Sequence, residues 1–199
     1  MSDLGRPGAG ATVVMDASAV AGCVRRLARE IASAHADIGS VVFLGILSRG
    51  LPLAQRLADA VGEMTGTTPQ VGSLATTLYR DDLRAGVGHL KAGLAGTHFE
   101  FPIDGKTVVL VDDVLAAGRT IRAALDEVMD YGRPARIQLA CLVDRGGREL
   151  PIQPDYLGWR VAAGPGEYVR VMLRETDEQD AVLLERREAK PPTEEATGP

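Results

Sequence analysis

The stretch Val108-Val109-Leu110-Val111-Asp112-Asp113-Val114-Leu115-Ala116-Ala117-Gly118-Arg119-Thr120-Ile121 decides how the rest of the chain reads. Apolar β-formers run into two adjacent carboxylates, then a small-residue turn, then Gly118 and a helical apolar pattern at Ile121, Leu125, Val128 and Met129. A short continuous apolar run fits a strand covered on both faces, as in a parallel sheet. In such sheets ligands bind beyond the carboxyl ends of the strands, where the next helix offers its first N–H groups to anions. Two acids and a tight turn at that place suit a ligand that is part polyol and part phosphate. The carboxylates accept from hydroxyls, and the N–H groups of the turn receive the phosphate. Taken alone, the same residues also read as a helix cap at Asp112-Asp113 and a turn glycine at Gly118.

Outward from this stretch the same alternation repeats. Val41-Val42-Phe43-Leu44-Gly45-Ile46 is a second buried strand, and a helix follows with Pro52 in its first turn and Leu53, Leu57 and Val61 every fourth residue. Upstream, Val20, Val24, Leu27 and Ile31 form a helical stripe after an Asp16 cap, with Arg25, Arg26 and Arg29 off the stripe. Residues 74–79 read as a strand and 80–101 as an irregular loop, of a length that in a compact domain is usually a functional lid. Gly132 and Pro134 close the helix after the central stretch, and further strands are expected at 136–143, 156–161 and 168–173. Strands alternating with helices give an α/β domain, a mainly parallel central sheet flanked by helices. It spans 13–186 between polar, Gly/Pro-rich tails at 1–12 and 187–199, and the chain contains no internal repeat.

Composition bounds the function. The 199 residues are 45% hydrophobic and 25% charged, as in one globular domain of ordinary size. Two cysteines exclude a disulfide scaffold, and no apolar run approaches the roughly 20 residues of a membrane span. The N-terminus lacks a secretory layout, so a cytoplasmic protein with reduced, packed cysteines is expected. A net charge of −5 argues against nucleic-acid binding by bulk charge, leaving local basic patches. His35, His89 and His98 have no metal-ligand spacing.

A second strand-to-helix junction, Gly45-Ile46-Leu47-Ser48-Arg49-Gly50-Leu51-Pro52, shares its glycine spacing with a Walker A loop. Leu51-Pro52 stands where that loop needs Lys and Ser/Thr, which excludes a P-loop triphosphatase. It reads otherwise as a strand-helix turn with an exposed arginine.

The whole central string resembles the phosphoribosyl pyrophosphate (PRPP) motif of type I phosphoribosyltransferases. Taken with Tyr79-Arg80-Asp81-Asp82-Leu83, Tyr131-Gly132-Arg133-Pro134 and Leu142-Val143-Asp144-Arg145-Gly146-Gly147-Arg148-Glu149-Leu150-Pro151, it is similar to the PyrR family, pyrimidine-operon regulators related to uracil phosphoribosyltransferases. The resemblance covers about 13–185 and implies the type I phosphoribosyltransferase fold. It further implies conversion of uracil and PRPP to UMP and pyrophosphate with Mg²⁺, and UMP-dependent binding to pyr leader mRNA by a dimer or higher homo-oligomer.

Residue by residue, the resemblance assigns Asp112 and Asp113 to the ribose hydroxyls and, through substrate, to the metal. Val114, Leu115, Ala116, Ala117, Gly118, Arg119 and Thr120 would cradle the 5′-phosphate, and Ser48, Arg49 and Gly50 the diphosphate. Arg80 would lie in the catalytic lid, with His89 and Lys91 in the same loop but without a role. Uracil would sit against Val143, Asp144 and Arg145, although Asp144 and Arg145 also read as a structural pair. RNA would meet Arg25, Arg26, Arg29 and Arg148, cations that read equally well as solvation of an outer face. Trp159 and Tyr156 are candidates for base stacking, core packing or subunit contact. The chain departs from the family pattern at Ala116-Ala117, where the family has Tyr-Thr, which removes one hydroxyl from the phosphate loop. It departs again at Gly147, Gln153 and Trp159, where RNA-binding members carry histidine or basic residues. The alternative is therefore a nucleotide-sensing RNA regulator with weak or lost transferase activity, while a purine or orotate transferase is disfavoured by the segment 142–151.

Overall fold

The structure is a computed structural model and describes residues 11–76 and 96–186. Its centre is a five-stranded, all-parallel sheet in the order β3-β2-β4-β5-β6, formed by β2 (Val41–Ile46), β3 (Gln70–Leu74), β4 (Thr107–Leu115), β5 (Arg136–Asp144) and β6 (Tyr156–Arg160). Register puts Gly45 beside Val111 and Asp112 beside Cys141, so the carboxyl ends of the three central strands form one edge. Alternate residues serve opposite faces, as the pleat requires. Phe43, Val109 and Val111 pack with α1 (Ala17–Ala34) and α2 (Gly50–Thr65). Val42, Leu44 and Leu110 pack with α3 (Arg119–Tyr131).

The helices follow from their stripes and caps. Asp16 accepts from the Ala19 N–H at 2.8 Å, the expected N-cap, and Val20, Val24, Leu27 and Ile31 are all buried. In α3 the buried positions are Ile121, Ala124 and Val128. Leu125 is half-buried and Met129 is exposed, a correction to the expected stripe, because Met129 lies a further 100° around the helix from Val128.

The strand expected at 74–79 lies instead at Gln70–Leu74. Three of its five residues, Gln70, Gly72 and Ser73, are polar or small, and main-chain pairing with β2 decides its place more than its own apolarity does. Of the long irregular stretch, 96–100 meets β3, where Ser73 and His98 exchange backbone hydrogen bonds, and Phe99 packs on Phe101 and Tyr131. Two strands went unread in the sequence: β1 (Thr12–Met15), which begins inside the expected tail, and β8 (Ala181–Arg186). They join β7 (Glu167–Met172) in a small antiparallel sheet, β1-β8-β7.

This second sheet and the short α4 (Arg174–Asp177) form a cap beside the carboxyl edge of the main sheet. Arg56 of α2 anchors it, donating to Glu175 from Nε at 2.8 Å and to Asp180 from Nη2 at 2.7 Å and Nη1 at 3.0 Å. No helix among the described residues is long and apolar enough to cross a membrane.

Candidate active site

A cleft of about 540 Å³ opens where the carboxyl edge of the main sheet faces β7. On the sheet side it is lined by Arg49 from the β2–α2 turn, Asp112 and Asp113 of β4, Ala116 of the turn after it, Thr120 of the first turn of α3, and Arg145 after β5. On the cap side it is lined by Glu167, Tyr168 and Arg170 of β7. Cations and acids thus face one another across a space large enough for a small phosphorylated sugar.

Local geometry explains why these residues meet. β4 extends through Asp112-Asp113 to Leu115, so the acids belong to the strand and not to a helix cap. α3 begins after Gly118, whose φ of 93° is left-handed and whose N-cap position carries no side-chain hydrogen bond. The first N–H groups of α3 therefore have no side-chain cap at Gly118, and Thr120 of its first turn lines the cleft, an arrangement suited to anions. Gly50 has a different reason for its identity: a Cβ there would lie 2.3 Å from the Val111 carbonyl oxygen, so only glycine lets α2 start against β4. Asp112 is buried, and its Oδ1 accepts from the Asp113 N–H at 3.0 Å, which fixes the pair's orientation.

The turn at 115–118 is held from behind by the segment after β5. Ala117 O accepts from the N–H groups of Glu149 and Leu150, and Arg145 N–H donates to Leu115 O. Arg148 is the centre of this clamp. Its Nη1 donates to Ala116 O at 2.9 Å, its Nε to Ile152 O at 2.8 Å, and its Nη2 to Asp144 Oδ2 at 2.8 Å. Burial alone would raise the Asp144 carboxyl, but the Arg148 hydrogen bond and the Gly146 N–H outweigh it and hold the group below its usual range. Burial, reinforced by the nearby carboxylates Asp112, Asp113 and Asp144, pushes the Cys141 thiol well up, so it stays protonated beneath the site.

The phosphoribosyl transferase domain model matches residues 13–162. Proteins designated bifunctional protein PyrR are close in sequence. The one from Desulfosudis oleivorans is 48% identical over 174 residues, 87% of this chain and 95% of its own. That from Chloroflexus aurantiacus is 49% identical over 173 residues, 87% and 94%. The chain belongs to the PyrR family. Among solved structures, the hypoxanthine phosphoribosyltransferase of Trypanosoma cruzi superposes with a TM-score of 0.66 at 16% identity, covering 89% of this chain and 97% of its own. That likeness establishes the type I phosphoribosyltransferase fold, as expected from the sequence.

Within this PyrR-family cleft the sequence-assigned residues separate into groups. Arg49, Asp112, Asp113, Val114, Ala116, Thr120 and Arg145 line it together. Gly50, Leu115, Ala117 and Gly118 are buried and do not line it, Ser48 is exposed at the turn, and Arg119 pairs with Glu149 at 2.5 Å. Val143 is a core residue with no exposed surface and Asp144 faces Arg148, so of the expected uracil trio only Arg145 reaches the cleft.

The expected RNA cations also divide. Arg25 and Arg29 are exposed on α1. Arg26 instead donates to the Leu157 and Gly158 carbonyls of β6 at 3.0 and 2.5 Å and to Glu30 at 2.6 Å. Arg148 is enclosed in the clamp. Tyr156 is buried, its hydroxyl beside Gln138 and His35, whereas Trp159 is exposed on β6 away from the cleft, beside Val14, Met15 and Gly22. Arg80, His89, Lys91 and the Tyr79–Leu83 motif lie outside the described residues, as do most of both tails. Sequence reading did not find the cleft-lining cap residues Tyr168 and Arg170, nor Asp177 of α4, which meets Arg49, because the cap is assembled from β1 together with β7, α4 and β8 and no local pattern places it beside the cleft.

Proposed function

We infer that this chain is a uracil phosphoribosyltransferase that also regulates pyrimidine-gene expression as a UMP-dependent RNA-binding protein. The observation that carries the enzymatic reading is the meeting of Arg49, the Asp112-Asp113 pair and the α3 N-terminus in one cleft, in a chain of the PyrR family. In this reading the N–H groups at 116–120 and the Thr120 hydroxyl receive the 5′-phosphate of PRPP. Asp112 and Asp113 accept from the ribose hydroxyls, and the 48–50 turn receives the diphosphate. Uracil lies between Arg145 and β7.

A uracil ring nitrogen attacks the anomeric carbon as the bond to the diphosphate oxygen breaks; the electron pair leaves with diphosphate and the nitrogen releases its proton. No protein nucleophile is required. The protein contributes alignment and a fixed positive charge, Arg49, where negative charge develops. Among the described residues no group of three or more His, Cys, Asp or Glu side chains could form a metal cage. Two adjacent carboxylates fit Mg²⁺ that arrives largely coordinated by substrate oxygens and water, and it would neutralise charge on the diphosphate.

For RNA, the exposed Arg25 and Arg29 on α1 are the candidate contacts, with Arg26 and Arg148 removed from that role by their internal bonds. A homo-oligomer, checked by light scattering, is part of the same proposal. Ala116, which lines the cleft without a hydroxyl, favours the second reading, a nucleotide sensor with weak transfer. Initial-rate UMP formation, paired with UMP-dependent gel shifts on a pyrimidine-operon leader RNA, tests both. Asp113→Asn is expected to abolish transfer, and Arg25→Glu with Arg29→Glu to weaken RNA binding while transfer persists. RNA affinity unchanged by the double substitution removes α1 from the interface.

A further inference from the structure

Arg49 reaches the cleft already gripped. Its Nε donates to Asp177 Oδ2 at 3.1 Å and its Nη2 to Asp177 Oδ1 at 2.8 Å, a two-point pair along one edge of the guanidinium. Asp177 lies 128 residues further along the chain, at the end of α4 in the cap. Its own carboxylate is fixed: Oδ2 also accepts from the Thr176 hydroxyl at 2.6 Å and from the Leu173 N–H at 3.2 Å. Only 11% of the Asp177 side chain is exposed, so this is a partner held in place by the fold. Glu178, the next residue, takes a left-handed φ of 64°, which ends α4 abruptly and returns the chain so that Asp180 meets Arg56. The cap therefore places Asp177 on Arg49 and both Glu175 and Asp180 on Arg56.

The pair bears on the chemistry because of what it leaves open. A guanidinium has five N–H donors, and Asp177 takes one from Nε and one from Nη2. The remaining donors belong to a side chain that lines the cleft together with Asp113. A free arginine would lose several rotatable bonds on meeting an anion, whereas a clamped one has lost them before substrate arrives.

We propose that Asp177 is a positioning residue for transfer, holding the Arg49 guanidinium so that its outer N–H donors meet the departing diphosphate. The inference rests on the reading of the 48–50 turn as the diphosphate subsite. It concerns Asp177 itself, which touches Arg49 and is given no contact with substrate.

The test is steady-state kinetics of the full chain carrying Asp177→Asn, with pyrophosphate product inhibition and UMP affinity measured on the same samples. Misplacing a catalytic group by about 1 Å costs on the order of 100-fold, and a loss of about 10- to 100-fold in kcat/KM for PRPP is expected, with weaker pyrophosphate inhibition and unchanged UMP affinity. In an Arg49→Lys background, where two-point gripping is lost, Asp177→Asn should cost little more. Thr176→Val, which removes one donor and keeps the charge, should show a smaller loss of the same kind and guards against a folding failure in Asp177→Asn. Equal losses in UMP and PRPP binding would mark Asp177 as a structural tie and overturn the proposal. Tighter pyrophosphate inhibition would mark it as a competing anion and overturn it equally. Wild-type protein that makes no UMP would overturn the site reading beneath it, whereas an active wild type matched by Asp177→Asn overturns this inference alone.

Discussion

Arg148 makes three hydrogen bonds from a side chain largely out of water, and its loss would strand the Asp144 carboxylate together with two carbonyls. Removing one partner of such a pair leaves an uncompensated charge, at a cost of about 3–5 kcal/mol. Arg148→Ala should therefore lower the urea midpoint sharply and also reduce transfer, since Ala116 O belongs to the phosphate turn. A variant with wild-type stability would show that the clamp is not needed. At Asp113 the expectation is different: Asp113→Asn should keep its unfolding midpoint and lose transfer, checked by UMP formation beside a melting curve. Asp112, Asp113 and Thr120 were legible in the sequence because one strand-to-helix junction supplies all three. Asp177 was not legible, because its role exists only through an arginine 128 residues away. The same holds for Arg26 and Arg148, whose charge reads as surface until β6 and the 115–118 turn are placed beside them.

Among the elements, α3 was legible from its period and its glycine, and its start is the part that touches function. Gly118 sits at φ 93°, where a Cβ is strained by roughly 1–2 kcal/mol, and Ile152 and Leu150 lie within van der Waals reach of that Cβ. Gly118→Ala is expected to raise KM for PRPP more than it lowers the melting temperature, since the strain falls on the phosphate turn. A KM equal to wild type would separate that turn from substrate. α1 and α2 were legible for the same reason as α3, a sustained 3.6-residue stripe. β3 was displaced and β1 and β8 went unread because short strands of mixed polarity are defined by their partners, which no local pattern reveals.

Across the whole molecule, the cap and the main sheet are joined by carboxylates held on arginines. Burial opposes ionisation of Asp177, but Arg49, Thr176 and the Leu173 N–H prevail and bring it down to about 2. Arg56 acts similarly on Asp180, where burial again opposes, and directly on Glu175. A carboxyl whose folded pKa lies below its unfolded value of about 4 stabilises the fold above pH 4 and loses that contribution as pH falls toward 2. Urea unfolding should therefore give constant stability from these pairs near pH 7 and a steady decline below pH 4, with a shallower decline in Asp177→Asn. An identical slope in the variant would show that the pair does not couple cap to sheet.

Everything above turns on a cleft that uses PRPP to glycosylate uracil. Its most direct test is product formation by the purified chain from PRPP and Mg²⁺ with uracil, hypoxanthine, guanine and orotate supplied separately. UMP is expected from uracil, and no nucleotide from the other three bases. Turnover of a purine or of orotate in preference to uracil would contradict it.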